Sequence, residues 1–254
     1  MHTIRAKTST SRLARIVQHA RPLLLSGALC IAATELSGQT GAPATRLDEG
    51  SFTIISGGQR VGREQFSIQA RSDAQGTVIE LRSESSRGEL HTALRLEVDS
   101  AGTPIRYSLE QRRGAEETLK LGGQRVRGRF TTLARSLTGE SAREYLLRPG
   151  TVLLEEDGVV QHALLVRLPL VQPEDAITLP SLAPAANNQG PVRIVLESIS
   201  DTVSIARARR AARRWRVVSS SSEVRLVWAD QDGRLLRMTI PSRGLEALRD
   251  DVPP

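Results

Sequence analysis

The segment LHTALRLEVDSAGTPIRYSLE, residues 90–110, carries the pattern that decides the fold. Apolar and polar residues alternate in 90–99 and again in 105–110, so each extended segment has one apolar and one polar face. Residues 100–104 between them are of types that favour turns. Two alternating segments joined by a short turn predict an antiparallel β-hairpin with one buried face.

The same period of two extends outward from this hairpin in both directions. It begins at residue 52, continues to 130 with short turns between the segments, and resumes over 192–240. Gln231-Asp232-Gly233 joins the last two segments, and Asp-Gly between alternating runs is a strong hairpin signal. The predicted fold is therefore mainly β: an antiparallel meander that forms an open or half barrel, or two packed sheets, with one short helix.

Two segments depart from the alternation. In EEDGVVQHALLVRL, residues 155–168, apolar residues are too dense for a half-buried strand, and the acids at its start complement a helix dipole. We predict a short helix over 157–168 that covers one mouth or face of the sheet. Residues 169–191 contain five prolines and the run NNQG, which predicts a long loop or a linker between two domains.

The N-terminus has the order of a secretory signal peptide. Five basic residues and no acid precede the apolar stretch PLLLSGALCIAA, residues 22–33, which is shorter than the roughly 20 residues of a membrane-spanning helix. We therefore predict a signal peptide over 1–33, with cleavage after Ala33 or after Ala44, and a flexible segment over 34–50. Residues 51–250 then form a single β-rich domain in a protein that is periplasmic or extracellular.

Export changes the meaning of the composition. The chain has 35 basic and 28 acidic residues, a formal charge of +7, which by itself indicates a nucleic-acid or other anionic partner. Removal of residues 1–33 takes away five basic residues and the only cysteine, Cys30, and leaves 30 basic and 28 acidic residues. We therefore expect no nucleic-acid partner and a domain that needs no disulfide.

Three further strings carry a resemblance to known proteins: FTIISGGQRVGREQFSI (52–68), VLLEEDGVVQHALLV (152–166) and VWADQDGRLLRMTIPSRGLEALRDD (227–251). With GTPIRYSLE (102–110), they resemble uncharacterised bacterial exported β-sheet domain families, which are similar in layout to the periplasmic lipoprotein carriers. The resemblance implies a curved half-barrel around an apolar cavity, and a lipid, another apolar ligand or an envelope protein as partner. The chain departs from the carriers in its 3% aromatic content, and it matches no binding residue of the family.

The concave side of such a sheet is the first candidate site. The apolar phase of the strands places six residues there that could contact a lipid or other apolar ligand, with filling by the chain's own side chains as the alternative. They are Phe66, Ile68, Leu94, Leu96, Tyr107 and Leu109.

An arginine-rich segment, RARRAARRWR (207–216), is the second candidate site. Guanidinium groups pair with phosphate and carboxylate groups, and Trp readily occupies membrane interfaces. The segment could therefore bind anionic lipid headgroups through peripheral membrane contact, with a solvated hairpin as the alternative. The residues proposed for anion binding are Arg209, Arg210, Arg213, Arg214 and Trp215.

Little in the chain indicates an enzyme. Beyond the signal peptide only His91 and His162 remain, GxSxG, GxxxxGK and HExxH motifs are missing, and two histidines without a thiol predict no metal site. We expect no cofactor and a non-enzymatic envelope protein that binds a lipid or other apolar ligand. The alternatives are a scaffold that binds another envelope protein, and an enzyme built around His162 and the acids of 155–157.

Overall fold

The computed structural model describes residues 44–73, 76–168 and 176–253. All of these residues belong to one unit of the chain, which spans Thr40–Pro254. The predicted signal peptide, residues 1–33, lies outside the described residues.

Fifteen strands and one short α-helix make up the described part of the chain. The N-terminal strands are β1 (Thr45–Ser56), β2 (Gln59–Asp73), β3 (Gly76–Arg87), β4 (Leu90–Asp99), β5 (Pro104–Arg113), β6 (Glu116–Val126), β7 (Arg129–Ser136) and β8 (Gly139–Leu146). The remaining elements are β9 (Val152–Leu153), α1 (Gln161–Val166), β10 (Ile177–Ala183), β11 (Asn188–Ile205), β12 (Ala208–Val218), β13 (Val224–Ala229), β14 (Leu235–Ile240), a 3-10 turn (Pro241–Arg243) and β15 (Leu245–Arg249).

All fifteen strands form one continuous sheet, in the order β8-β7-β6-β5-β4-β3-β2-β1-β15-β14-β13-β12-β11-β10-β9. Neighbouring strands are antiparallel except for β9 and β10, which are parallel. The two arms of the sheet meet where β1 pairs with β15, and β8 and β9 are its outermost strands. The predicted fold class is confirmed, in the form of a single open sheet with one short helix.

The sheet curls until side chains bridge its two ends. The Tyr145 hydroxyl on β8 donates a hydrogen bond to Asn187 Oδ1 at 3.0 Å, and Gln189 Nε2 donates to the Leu146 carbonyl at 2.7 Å. These contacts join β8 to the turn between β10 and β11 and to the start of β11 without strand pairing. Side chains therefore close the barrel at this seam, and the backbone ladder stays open.

The helix α1 lies among the core residues of the curled sheet, and all six of its residues are buried. The predicted helix, over 157–168, is longer at both ends. Residues 157–160 form turns and a bend, because the preceding Glu155 is held by contacts outside the helix and Gly158 N–H donates to its carbonyl at 3.2 Å. Of the two predicted positions, a mouth or a face of the sheet, the helix takes the face: it packs in the core on the concave side.

The structure differs from the predicted loop over 169–191. Residues 177–183 form β10 and β11 begins at residue 188, while 169–175 lie outside the described residues. Pro180 pairs with Pro191, so the two residues that lack a backbone N–H share one position of the β10–β11 ladder. β10 tolerates proline because its other neighbour is only the two-residue edge strand β9.

The predicted flexible segment over 34–50 is also shorter at its C-terminal end. β1 begins at Thr45, and residues 34–43 lie outside the described part. Asp48 fixes this start of the strand, because its Oδ1 accepts a hydrogen bond from Arg249 at 2.8 Å. A contact 201 residues apart in sequence therefore orders a stretch whose composition indicates flexibility.

A large core occupies the concave side of the sheet, and a small one lies on the opposite face of the C-terminal arm. In the large core Phe52 and Phe66 stack with ring centroids 5.2 Å apart. β12 pairs with β13 only over 213–218. The rest of the β11–β12 hairpin packs against Trp228 on β13 and Leu236 on β14, which forms the small core. Its buried members are Val203, Ile205, Ala212, Trp228 and Leu236.

Candidate functional site

The six residues predicted to line the concave side all belong to the large hydrophobic core. Phe66, Ile68 and Leu96 pack there against the chain's own side chains. Leu94 and Leu109 differ from these three because they also line an open cavity at one mouth of the barrel. Tyr107 reaches the same place through its hydroxyl group, which donates to Glu155 Oε1 at 2.8 Å.

This mouth cavity has a volume of about 240 Å³ and lies between the interior face of β2–β5 and two connecting segments. The segments are residues 155–158, before α1, and residues 185–186, in the turn between β10 and β11. Its apolar wall includes Leu94 and Leu109, and its polar wall includes Glu64, Arg87 and Glu155. The cavity is therefore amphiphilic, with charged groups facing an apolar surface.

Glu155 is the central polar residue of the mouth cavity. Its side chain is 7% exposed, and Oε1 accepts hydrogen bonds from the Tyr107 hydroxyl at 2.8 Å and from Ala185 N–H at 3.1 Å. Burial raises the pKa of Glu155 to about 7, although both hydrogen bonds favour the ionised form. At neutral pH this carboxyl group is therefore poised between its protonated and ionised forms.

Glu64 supplies a second buried carboxyl group to the same cavity. Its Oε1 accepts a hydrogen bond from Val160 N–H at 3.4 Å, at the start of α1. Burial raises the pKa of Glu64, and the positive charge of Arg87 opposes that rise. The Nη2 atom of Arg87 donates to the Asp157 carbonyl at 2.8 Å. Its buried Nε has no hydrogen-bond partner within the described residues.

Sequence reasoning missed Glu64 as a site residue and considered Glu155 only among the acids near His162, although each left a signal. Glu64 falls in phase with Phe66 and Ile68 on β2, so it is an acid on the apolar face of a strand. Glu155 was interpreted as a helix-start acid, but it precedes α1 by six residues and turns into the barrel. An acidic residue at an apolar position of an alternating strand, as Glu64 is on β2, is the sequence pattern that indicates such a site.

His162, the residue around which an enzyme could be built, lies away from the mouth cavity. It is fully buried on α1, and its Nδ1 lies 3.2 Å from the Val159 carbonyl oxygen. Burial and the nearby Arg225 lower the pKa of His162 to about 3, so the ring is neutral. It borders a void of about 20 Å³, which holds about one water molecule. Glu155 and Glu156 line the same void, but within the described residues the ring forms no hydrogen bond or ion pair with a carboxylate of 155–157.

The arginine-rich segment divides between the core and the surface. Trp215 is 4% exposed and belongs to the large core, so its proposed place at an anion-binding surface is wrong; the alternation of β12 turns it inward. Arg214 is already paired, at 3.3 Å with Glu197 and 3.1 Å with Asp201. In contrast, three arginines predicted for anion binding have no ion-pair partner within the described residues: Arg209, Arg210 and Arg213.

The edge strand β8 is the feature on which the scaffold alternative depends. β8 pairs with β7 on one side and forms one end of the sheet on the other. Three leucines on or beside β7 and β8 are more than half exposed: Leu133, Leu137 and Leu146. An open strand edge with apolar side chains nearby is a common site of strand addition by a partner.

Within the described ranges, no group of three or more His, Cys, Asp or Glu side chains is placed to hold a metal ion. No helix in those ranges is both long and apolar enough to cross a membrane. The fold and the mouth cavity define a β-barrel-like protein with an amphiphilic opening.

A comparison with solved structures agrees with the fold in that description. No model of a known protein family matches the chain, and no curated protein matches its sequence. The chain is similar in structure to a β-barrel-like protein of the domain of unknown function DUF1849 from Brucella abortus. The two share 9% sequence identity with a TM-score of 0.50, over 84% of this chain and 97% of that one. This likeness supports the coarser part of the expected resemblance, a β-sheet domain of uncharacterised function.

Proposed function

We propose that this protein is an exported, non-enzymatic binding protein of the cell envelope, and that its mouth cavity takes a small amphiphile that carries an amine. The observation that carries the proposal is the placement of two buried carboxyl groups, Glu64 and Glu155, beside Leu94 and Leu109 in one open cavity. Such a cavity offers apolar contact to a short carbon chain and negative charge to an ammonium group.

The hydrogen bonding of Glu155 supports a cationic ligand. Both described donors bind Oε1, and no described residue donates to Oε2. An ionised carboxylate accepts several hydrogen bonds and has no proton to donate, so the second oxygen is free to accept from an ammonium group. Because a nearby cation favours the ionised form, such a ligand would lower the pKa of Glu155 and release a proton on binding.

The size of the cavity limits the ligand to something smaller than a membrane lipid. Its 240 Å³ corresponds to the volume of about eight water molecules in the liquid and falls below the usual range of drug-sized pockets. Around it the interior is filled by the side chains of the large core. We therefore propose a single short alkyl chain as the apolar part, in place of the acyl chains that the resemblance to lipoprotein carriers implies.

Two lines of reasoning support the remaining parts of the proposal. Export rests on the basic and then apolar order of residues 1–33. A non-enzymatic role is supported by the lack of common catalytic motifs in the sequence and by the position of His162, which borders only a small void.

Calorimetric titration with octylammonium, octanoate and octanol tests the proposal. At pH 8 we expect octylammonium to bind more tightly than the other two, because only it pairs with an ionised Glu155. The Glu155→Gln variant keeps the shape of the side chain and should bind octylammonium at least about tenfold more weakly, since a hydrogen bond to a charged group contributes about 1.5–3 kcal/mol.

Glu110→Gln is the matched control. Glu110 on β5 is partly exposed and forms an ion pair with Lys120 at 3.1 Å, so its replacement removes one negative charge without touching the mouth cavity. Octylammonium affinity should stay at the wild-type value in this variant. Equal binding of octylammonium and octanoate, or equal affinity of Glu155→Gln and wild type, would overturn the proposal.

A further inference from the structure

The far half of the β11–β12 hairpin, residues 199–213, extends beyond the pairing with β13, and we call it the overhang. Its residues 201–212 pair with each other, while β13 pairs with β12 only from residue 213 onward. One side of the overhang is anchored, because Val203 and Ile205 are buried in the small core with Trp228. The other side faces solvent, so its side chains are held on a fixed frame and remain accessible.

The overhang carries positive charge without compensation: Arg209 and Arg213 lie on its solvent side, and Arg210, which pairs with Val203 on the anchored side, is also exposed. No described residue forms an ion pair with four of its arginines: Arg207, Arg209, Arg210 and Arg213. The next two arginines along β12 behave differently, since both Arg214 and Arg216 pair with Glu197. The carboxylates of this region are therefore used at the base of the hairpin, and the tip keeps its cationic charge.

The turn at the tip displays Arg207 in an unusual conformation. Ala206 and Arg207 have φ values of 45° and 68°, a region that side-chain-bearing residues seldom adopt and that glycine and asparagine usually occupy in such turns. This geometry lets the two strands of the overhang pair up to Ile205 and Ala208. A guanidinium group thus occupies a position of the turn where a residue without a large side chain is usual.

An exposed apolar residue lies beside these arginines. The pairing of β11 with β12 is interrupted between Ser198 and Asp201, and the unpaired Ile199 at this bulge is 72% exposed. Ile199, Arg210 and Arg213 line the same open hollow of about 540 Å³.

Two acids also line this hollow, but their contacts lie within a neighbouring turn. Asp230 Oδ1 accepts from the N–H groups of Asp232 and Arg234, and Asp232 lies 3.8 Å from the Arg234 guanidinium. They are therefore engaged by the turn between β13 and β14 and leave the arginines of the overhang unpaired.

We propose that the overhang is a peripheral membrane-contact surface that binds the phosphate groups of anionic phospholipids. Arginine pairs bidentately with phosphate, and an apolar side chain next to basic ones enters the boundary between headgroups and acyl chains. A soluble polyanion would use the arginines equally well but would make no use of Ile199. The exposed isoleucine therefore favours a membrane over a free polyanion as the partner.

Vesicle flotation tests this assignment. The protein is mixed at 0.15 M salt with vesicles of phosphatidylcholine alone or with phosphatidylglycerol added, and we expect it to float only with the anionic vesicles. Replacing Arg209, Arg210 and Arg213 by Gln should weaken this binding by about 100-fold, because each basic residue near an anionic surface contributes about fivefold.

A matched triple variant controls for the loss of charge. Arg106, Arg112 and Arg127 are exposed arginines outside the overhang, also without ion-pair partners in the described ranges. Their replacement by Gln removes the same charge and should weaken binding by no more than a few-fold. An equal loss in both triple variants would assign the binding to net charge and overturn the proposal, as would failure of the wild-type protein to float.

The Ile199→Ser variant separates a membrane from a soluble polyanion. With all arginines retained, it should weaken vesicle binding several-fold and leave the affinity for soluble polyphosphate unchanged. If it has no effect on vesicle binding while polyphosphate binds as tightly as vesicles, the surface recognises phosphate in solution and the membrane proposal fails. Near-UV circular dichroism of each variant confirms that the fold is retained.

Discussion

Asp48 and Glu155 are both buried carboxyl groups at opposite parts of the barrel interior, but their partners differ in charge. Asp48 accepts hydrogen bonds from Arg249 at 2.8 and 3.1 Å and from Arg167 at 3.3 Å. The side chains of Asp48 and Arg249 are both fully buried. Two guanidinium groups therefore compensate Asp48, where β1 meets β15 and the two arms of the sheet join, and Arg249 also pairs with Asp251 at 3.0 Å.

Glu155 has only neutral donors, the Tyr107 hydroxyl and the Ala185 N–H, within the described residues. Its pKa is raised to about 7 because burial is not balanced by a cation. Burial alone therefore does not distinguish an acid that stabilises the fold, such as Asp48, from an acid that we propose to bind a ligand, such as Glu155. The distinction lies in whether the protein itself supplies the opposite charge.

The largest expected effect comes from removing the compensated charge. Asp48→Asn keeps the size of the side chain but leaves the buried Arg249 with only the partly exposed Asp251 as its carboxylate partner, so the free energy of unfolding should fall by about 3 kcal/mol. Urea denaturation at pH 7 measures the change. If unfolding shifts by less than about 1 kcal/mol, the join of the two arms does not depend on this pair.

The exposed pair Arg46–Glu49 on the same strand is the control for that measurement. Its side chains are 62% and 53% exposed, and an exposed ion pair contributes about 0–1 kcal/mol. Arg46→Gln should therefore lower the free energy of unfolding by no more than about 1 kcal/mol. Both variants remove one charged partner near the start of β1, so the difference between their free energies of unfolding reports the effect of burial.

The second effect is a dependence of stability on pH that Glu155 introduces. Its folded pKa of about 7 lies above its ordinary value of 4.5, so folding favours the protonated form. Its contribution is fully present below pH 4.5 and is lost as pH rises through 7. Relative to wild type, Glu155→Gln should therefore gain about 2 to 3 kcal/mol in free energy of unfolding between pH 5 and pH 8.

The difference between variant and wild type is the quantity to measure, because His162 adds an opposite slope. Its pKa is lowered to about 3, so its contribution is lost as pH falls from 6.5. This term is the same in both proteins and cancels. Glu110→Gln, whose side chain is 38% exposed and lies outside the mouth cavity, serves as the control and should parallel wild type. Parallel curves for Glu155→Gln as well would show that Glu155 is not poised near neutral pH.

The strand pattern was predictable because alternation is a local property of the chain. Phe66, Leu94 and Leu109 face the core as their phase in the strands requires, and the Asp232-Gly233 turn joins β13 to β14 as expected. Proline composition was the least reliable guide. Pro180 and Pro191 fit into β10 and β11 because they share one position of the ladder, and no local pattern shows that register.

The candidate site was predictable only in its apolar half. Leu94 and Leu109 follow from periodicity, but the cavity exists because the segment at 155–158 and the turn at 185–186 meet β2–β5 in space. Contacts between such distant segments depend on tertiary packing, which the spacing of residues does not encode. Trp215 is a different case, because its phase in β12 is a local signal that places it in the core, while the arginine-rich composition around it indicated a surface.

The smallest expected effect sharpens the description of Glu155 itself. The Tyr107 hydroxyl donates to Glu155 Oε1 and favours the ionised carboxylate, so Tyr107→Phe should raise the pKa of Glu155 further above 7, by about one pH unit. Carbon-13 NMR titration of the glutamate carboxyl signals measures this shift. Thr53→Val is the matched control, because it also removes a hydroxyl that donates to a carboxylate, Asp250 Oδ1 at 2.6 Å, but lies outside the mouth cavity and should leave the titration of Glu155 unchanged. A lower pKa in Tyr107→Phe, or an equal rise in both variants, would mean that the Tyr107 hydrogen bond does not set the charge of the mouth cavity.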